Sequence, residues 1–218
     1  MCGISGLFDP LGMRPFDPAL IERVTNVQSH RGPDSMGVHL EPGIALGHRR
    51  LSVIDLSTGQ QPLFSEDGAV AIVFNGEIYN FQELVPELQN LGYRFRTRSD
   101  TEVIVHAWRA WGAQCVQRLR GMFAFALWDR HQQTLFLARD RLGVKPLHYA
   151  WLPDGSFIFG SELQVLTAHP AFQRQLDPLA IEDYFSLGYV ADPRCIYQGA
   201  HKLPAGHTLT LHRGDRQR

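Results

Sequence analysis

The chain opens Met1-Cys2-Gly3-Ile4-Ser5-Gly6-Leu7-Phe8-Asp9, and this stretch decides how the rest is read. Gly3 to Phe8 reads as a short strand. The stretch has neither a basic leading region nor a long apolar core, so it is not a secretory signal. Cys2 follows the initiator Met directly, and Gly3 is small, so removal of Met1 would make Cys2 the first residue. A thiol and a free α-amine on one residue form a self-contained catalytic pair. A free α-amine titrates near about 8 and a thiol near about 8.5. A neutral amine can then take the thiol proton, directly or through one water. Taken alone, a cysteine at position 2 is a weak sign; its weight comes from the sequence around it.

The 218 residues are 44% hydrophobic and 20% charged, which fits one globular domain with a full core. Net charge is −1 with Lys and Arg scattered, which gives no nucleic-acid or membrane surface. No run of apolar residues is long enough for a transmembrane helix. Cys2, Cys115 and Cys195 are odd in number and widely spaced, so they do not form a disulfide framework. No CxxC or HExxH spacing offers a metal site. A reduced, cytoplasmic setting is expected. Cys115 and Cys195 read as packing residues.

Beyond the first strand, Asp17 is a candidate N-cap with Pro18 at the first helical position. Leu20, Ile21, Val24 and Val27 give that helix its apolar stripe. Gly43 to Arg49 and Ala69 to Phe74 read as strands. Phe81, Leu84, Val85, Leu88 and Leu91 mark a second helix stopped at Gly92, with Pro86 kinking it or delaying its start. Ser99-Asp100-Thr101-Glu102 has capping-box form and leads into Ile104, Ala107, Trp108 and Trp111. Met122–Trp128 and Thr134–Ala138 read as a hairpin. Leu147–Trp151 and Phe157–Gly160 flank the turn Pro153-Asp154-Gly155. Runs of strands with helices grouped around them predict an α+β fold with mainly antiparallel sheets.

Several motifs then fall in a fixed order: MCGISGLFD, His30-Arg31-Gly32-Pro33-Asp34, His48-Arg49-Arg50-Leu51-Ser52-Val53-Ile54-Asp55 and Gln61-Pro62-Leu63. Phe74-Asn75-Gly76-Glu77-Ile78-Tyr79-Asn80, Ser99-Asp100-Thr101-Glu102, Gly121-Met122-Phe123-Ala124-Phe125, Arg139-Asp140-Arg141-Leu142-Gly143 and Gly160-Ser161-Glu162 follow. In this order and spacing the set resembles class II glutamine amidotransferase domains, most closely the N-terminal half of glutamine-hydrolysing asparagine synthetases. The resemblance runs from Met1 to about Gly206. Gly188-Tyr189-Val190 and Lys202-Leu203-Pro204 are also similar to exosortase-associated bacterial amidotransferases. The resemblance implies the four-layer αββα sandwich of N-terminal nucleophile hydrolases, with two antiparallel sheets stacked face to face.

It also implies roles. Cys2 would attack the side-chain amide of L-glutamine and form a γ-glutamyl thioester. Asn75-Gly76 alone reads as a two-residue hairpin turn. By resemblance, the Asn75 amide and the Gly76 N–H form the oxyanion hole, where losing one donor costs about 100- to 1,000-fold in rate. Arg50 alone reads as a surface or ion-paired arginine; by resemblance it grips the α-carboxylate of glutamine bidentately. Leu51, Ser52, Val53 and Ile54 would be backbone walls of the pocket. Asp100 alone reads as an acidic first-turn residue; by resemblance it pairs with the α-ammonium, with Glu77 nearby. Arg31 and Asp34 read as loop-forming residues.

Residues 1–206 are expected to be the glutaminase domain, and 207–218 the start of a linker to a C-terminal ATP-dependent synthetase domain. No Ser-Gly-Gly or GxxxxGK[ST] loop occurs in the sequence. ATP and magnesium are therefore expected only in that other domain, and no cofactor here. The resemblance also admits a homodimer. Two rivals stand beside this reading. One is a catalytically silent docking or regulatory domain of the same fold, against which the retained Cys2, Arg50, Asn75, Gly76 and Asp100 argue. The other is an amidotransferase of an amino-sugar or purine branch, against which the Asp183–Gly206 segment argues.

Overall fold

A computed structural model of the chain describes residues 1–12, 14–52 and 59–214. Its strands are β1 (Gly3–Phe8), β2 (Ser35–Glu41), β3 (Ile44–Arg50), β4 (Leu63–Phe64), β5 (Val70–Ile78), β6 (Gly121–Asp129), β7 (Thr134–Arg139), β8 (His148–Trp151), β9 (Phe157–Gly160), β10 (Ala200–Lys202) and β11 (Thr208–His212). Its helices are α1 (Pro18–Asn26), α2 (Phe81–Asn90), α3 (Asp100–Trp111), α4 (Cys115–Arg118), α5 (Leu163–Ala168) and α6 (Pro178–Leu187). The first sheet has the order β10-β8-β9-β1-β3-β2 and the second β11-β7-β6-β5-β4. Neighbouring strands are antiparallel in both sheets.

Three apolar clusters separate four layers. Ile21 and Val24 of α1 and Val165 and Leu166 of α5 pack on Leu7, Ala45 and Ile158, the outer face of the first sheet. Ile4, Phe8, Leu46, Val73, Ala124, Trp128 and Phe159 fill the space between the sheets. Leu84 and Leu88 of α2 and Val103, Ile104 and Trp108 of α3 cover Ile72, Phe74 and Phe125, the outer face of the second. This is the expected αββα sandwich. Because both faces of each sheet are covered, the central strand β1 is buried at every position. It is apolar or small throughout, and a Cβ on Gly6 would sit 2.3 Å from the Phe159 ring.

The local start and stop signals act as read. Asp17 caps α1 through the Ala19 N–H with Pro18 next, and Gly92 follows α2 with φ +94°. Four expectations need correction. α2 starts at Phe81 and runs on through Pro86. Both Pro86 and Gln82, whose carbonyl the proline leaves without its helical donor, are exposed, so the lost bond is not a buried one. Ser99 caps α3 through the Thr101 N–H, but Glu102 does not close a box. Its carboxylate instead accepts the N–H groups of Arg96 and Thr97 at 2.9 and 2.7 Å. Asn75-Gly76 makes no turn: β5 continues through both, opposite Ala124 and Phe123. Residues 207–218 are not simply the start of a linker, because Thr208–His212 pairs with Thr134–Ala138 as the edge of the second sheet. Among the described residues, no helix is long and apolar enough to cross a membrane.

Candidate active site

Cys2 sits at the head of the central strand β1, half-buried. Its carbonyl accepts from Arg31 Nε at 2.9 Å, and Arg31 Nη1 is held by Glu162 Oε1 at 3.0 Å. The sulfur lies against the backbone of Leu51, whose N–H points at Sγ at 3.4 Å. Met1 is 60% exposed and so open to enzymatic removal. The other thiols are buried in the packing, which pushes Cys115 up to about 12 and Cys195 up to about 11.

The chain around Arg50 is fixed by the His30–Asp34 motif. Gly32 runs so close to β3 that a Cβ there would lie 2.3 Å from the Arg49 carbonyl carbon. Asp34 donates its N–H to the Arg50 carbonyl at 3.0 Å, and its carboxylate accepts the Ser52 N–H at 2.7 Å. Arg31 and Asp34 therefore shape the loop, as read from the sequence.

β5 supplies the other wall. Asn75, 1% exposed, has a side-chain amide nitrogen with no hydrogen-bond partner among the described residues. The N–H of Gly76 is also left over, for a topological reason. The N–H and C=O of Phe123, opposite Gly76, both turn to Asp140, at 3.1 and 2.8 Å. The Gly76–Phe123 pair is thus of the non-bonded type, and Gly76 directs its N–H to the far side of β5. Two residues to either side, the same edge is occupied: Phe74 N–H donates to Gln61 Oε1 at 2.6 Å, and Ile78 N–H to Asp100 Oδ2 at 2.9 Å. Between those two bonds, the Gly76 N–H has no acceptor among the described residues. Gly76 must be glycine, because a Cβ would meet the Met122 carbonyl oxygen at 2.2 Å.

Asp100 heads α3 and is buried. Burial, reinforced by the neighbouring charge of Glu77, raises its carboxyl above the usual aspartate range, although the Ile78 N–H opposes the shift. A cation arriving beside both carboxylates would relieve this.

These groups line one cavity of about 220 Å³. The structure brings Cys2, Arg50, Leu51, Asn75, Gly76, Glu77 and Asp100 together around it. Ser52 does not line it; its N–H is turned to Asp34. Val53 and Ile54 lie outside the described residues. Gln61 and Lys145 are among the lining residues that were given no role from the sequence. Gln61 belongs to the quoted Gln61-Pro62-Leu63 motif, and its Nε2 reaches Thr101 Oγ1 at 3.4 Å. Lys145 stands in a loop without periodicity, and no local pattern distinguishes it from a surface lysine. Among the described residues, no three His, Cys, Asp or Glu side chains come together as a metal site.

Two stacked antiparallel sheets with a cysteine heading a central strand are the frame of an N-terminal nucleophile hydrolase. The chain belongs to the glutamine amidotransferase domain family, which its residues 1–218 match. It is 39% identical to asparagine synthetase [glutamine-hydrolyzing] 3 of Bacillus subtilis (strain 168) over 97% of its own length and 35% of that protein. It is 37% identical to asparagine synthetase [glutamine-hydrolyzing] 1 of the same organism, over 97% of the chain and 33% of the relative. The chain thus spans about a third of the length of these curated relatives. Among solved structures, glutamine phosphoribosylpyrophosphate amidotransferase from B. subtilis shares the fold, with a TM-score of 0.64 at 21% identity, over 81% of this chain and 46% of that one.

Proposed function

We propose that this amidotransferase domain hydrolyses L-glutamine to glutamate and ammonia through a γ-glutamyl thioester on Cys2. The observation that carries the reading is the pair of unused donors, Asn75 Nδ2–H and Gly76 N–H, on the cavity that holds the Cys2 thiol. With Met1 removed, the α-amine of Cys2 accepts the thiol proton and the sulfur adds to the side-chain amide carbon. The carbonyl oxygen becomes an anion, and the two fixed N–H donors stabilise it. The tetrahedral intermediate collapses, the proton passes to the leaving nitrogen, and ammonia departs. Water then adds to the thioester by the same route in reverse and frees glutamate and the thiol. Arg50 holds the α-carboxylate and Asp100 with Glu77 holds the α-ammonium, so the amide is presented to Cys2 at a fixed distance.

In the same reading, the ammonia serves an asparagine-synthetase-like acceptor reaction in a cytoplasmic protein. A synthetase domain supplies ATP and magnesium there; none is assigned to the residues of this chain. Leu179, Tyr184, Phe185 and Leu187 of α6 are exposed apolar side chains, which suit docking against such a domain.

The test is glutamate and ammonia release from glutamine by the chain and by Cys2→Ala, with and without Mg-ATP. Release is expected from the parent without nucleotide and to be absent from a folded Cys2→Ala protein. Release by Cys2→Ala at near the parental rate would end the mechanism.

A further inference from the structure

Lys145 is 6% exposed and lines the same cavity as Cys2, Asn75 and Gly76. Its side chain makes no ion pair or hydrogen bond among the described residues. Its backbone, by contrast, is tightly held. The N–H donates to Asp140 Oδ2 at 2.9 Å and the carbonyl accepts Arg139 Nε at 2.9 Å. The same Asp140 carboxylate takes the N–H groups of Phe123, Leu142 and Val144. Phe123 lies opposite Gly76 in the sheet. One buried carboxylate therefore fixes both the strand behind the Gly76 donor and the residue that brings a lysine to the cavity.

A largely buried lysine whose side chain has no ion pair or hydrogen bond among the described residues gains no fixed partner for the entropy its ordering costs, so its place needs a reason. The charges lining the cavity supply one. Arg50 is matched by the α-carboxylate of an amino-acid substrate, and Glu77 and Asp100 by its α-ammonium. Lys145 is the lining cation that this pairing gives no partner on the substrate. Negative charge of opposite sign appears only when sulfur adds to the amide. From these observations we propose that Lys145 is a third electrostatic stabiliser of the oxyanion, beside Asn75 and Gly76. The proposal rests on the Cys2 thioester reading. It needs no further reactant: no bond is made or broken at the ammonium and its proton stays in place.

Two signatures separate this role from a structural one. A group acting on charge present only in the transition state changes kcat and leaves KM nearly fixed. Lys145 makes no side-chain bond among the described residues, so an apolar chain of similar length should leave the fold about equally stable, whereas a lysine with a structural role would be missed. The experiment compares the Met1-processed chain with Lys145→Met, Lys145→Arg and Cys2→Ala. Its readouts are kcat and KM for glutamine, melting temperature, and inhibition by glutamate γ-semialdehyde, whose aldehyde forms a tetrahedral adduct with a cysteine thiol. Lys145→Met should lose about 100- to 1,000-fold in kcat, the range seen for single oxyanion donors. Its KM should stay within about threefold, aldehyde inhibition should weaken in parallel with kcat, and melting temperature should not fall. Lys145→Arg should recover most of the rate. A Lys145→Met protein with near-parental kcat, or one whose lost rate comes with a lowered melting temperature and unchanged aldehyde inhibition, overturns the proposal. Cys2→Ala tells the two failures apart. If it is inactive while Lys145→Met is fully active, only the lysine's role is lost. If it still hydrolyses glutamine, the thioester reading falls and takes the lysine's role with it.

Discussion

His48 Nε2 lies 3.1 Å from the carbonyl oxygen of Phe74, the residue before Asn75. The carbonyl can only accept, so Nε2 carries the proton. This bond joins β3 of the first sheet to β5 of the second. It ties the strand that ends in Arg50 to the strand that carries both proposed oxyanion donors, so the spacing between the proposed substrate clamp and the proposed oxyanion site is set through the middle of the sandwich.

That contact has a pH dependence with a defined sign. Burial, opposed by the bond to Phe74 and aided by the charge of Arg50, lowers the His48 imidazole from 6.5 to about 3. On acidification the unfolded chain takes up this proton first. The contribution of His48 to stability is therefore complete above about pH 6.5 and is lost as pH falls toward 3. In His48→Gln the slope of stability against pH over this window should be shallower than in the parent, by up to about 1.4 kcal/mol per pH unit. Denaturant unfolding at several pH values measures it; identical slopes would show that the histidine is not held neutral.

Activity should require removal of Met1. While Met1 remains, the nitrogen of Cys2 is an amide and cannot accept the thiol proton. Intact-mass measurement of the sample, compared with the glutaminase rate, should show activity rising with the processed fraction. A fully active population that keeps Met1 would contradict the role given to the amine.

Substitutions at the two ends of the substrate should separate kinetically. Arg50→Ala and Asp100→Ala would remove the proposed contacts to the amino-acid end, present equally before and during reaction, and should chiefly raise KM. Asn75→Ala removes a donor to charge that exists only in the transition state, and should lower kcat by about 100- to 1,000-fold. Steady-state kinetics decides: a raised KM with unchanged kcat in Asn75→Ala would refute the oxyanion assignment.

Gly76→Ala should fail on steric grounds. The added methyl would lie 2.2 Å from the Met122 carbonyl oxygen, a backbone atom that cannot rotate away. Overpacking of this kind costs about 1–3 kcal/mol or displaces the strand. Reduced stability together with reduced kcat is expected. Parental values of both would mean that β5 and β6 are not as close as described.

The sequence by itself determined the features that depend on neighbours in the chain. The cap at Asp17, the stop at Gly92 and the turn at Pro153-Asp154-Gly155 are local chemistry, and each appears where it was read. The ordered motifs from Cys2 to Glu162 pointed to the sandwich and to most of the cavity, because such a set reports a whole family at once. Only the tertiary structure decided the rest. Asn75-Gly76 has the local signature of a hairpin turn, yet pairing with Ala124 and Phe123 keeps it in a strand. Glu102 matches a capping box, but the folded-back loop at Arg96 and Thr97 offers its carboxylate better donors. Thr208–His212 reads as a tail until β7 gives it a partner. Gln61 and Lys145 carry no periodicity that could reveal them. Their place in the cavity follows from bonds to Phe74, Thr101, Asp140 and Arg139. A local pattern records what a segment can satisfy by itself; which strand edge, donor or charge is left over for chemistry depends on partners brought together from distant parts of the chain.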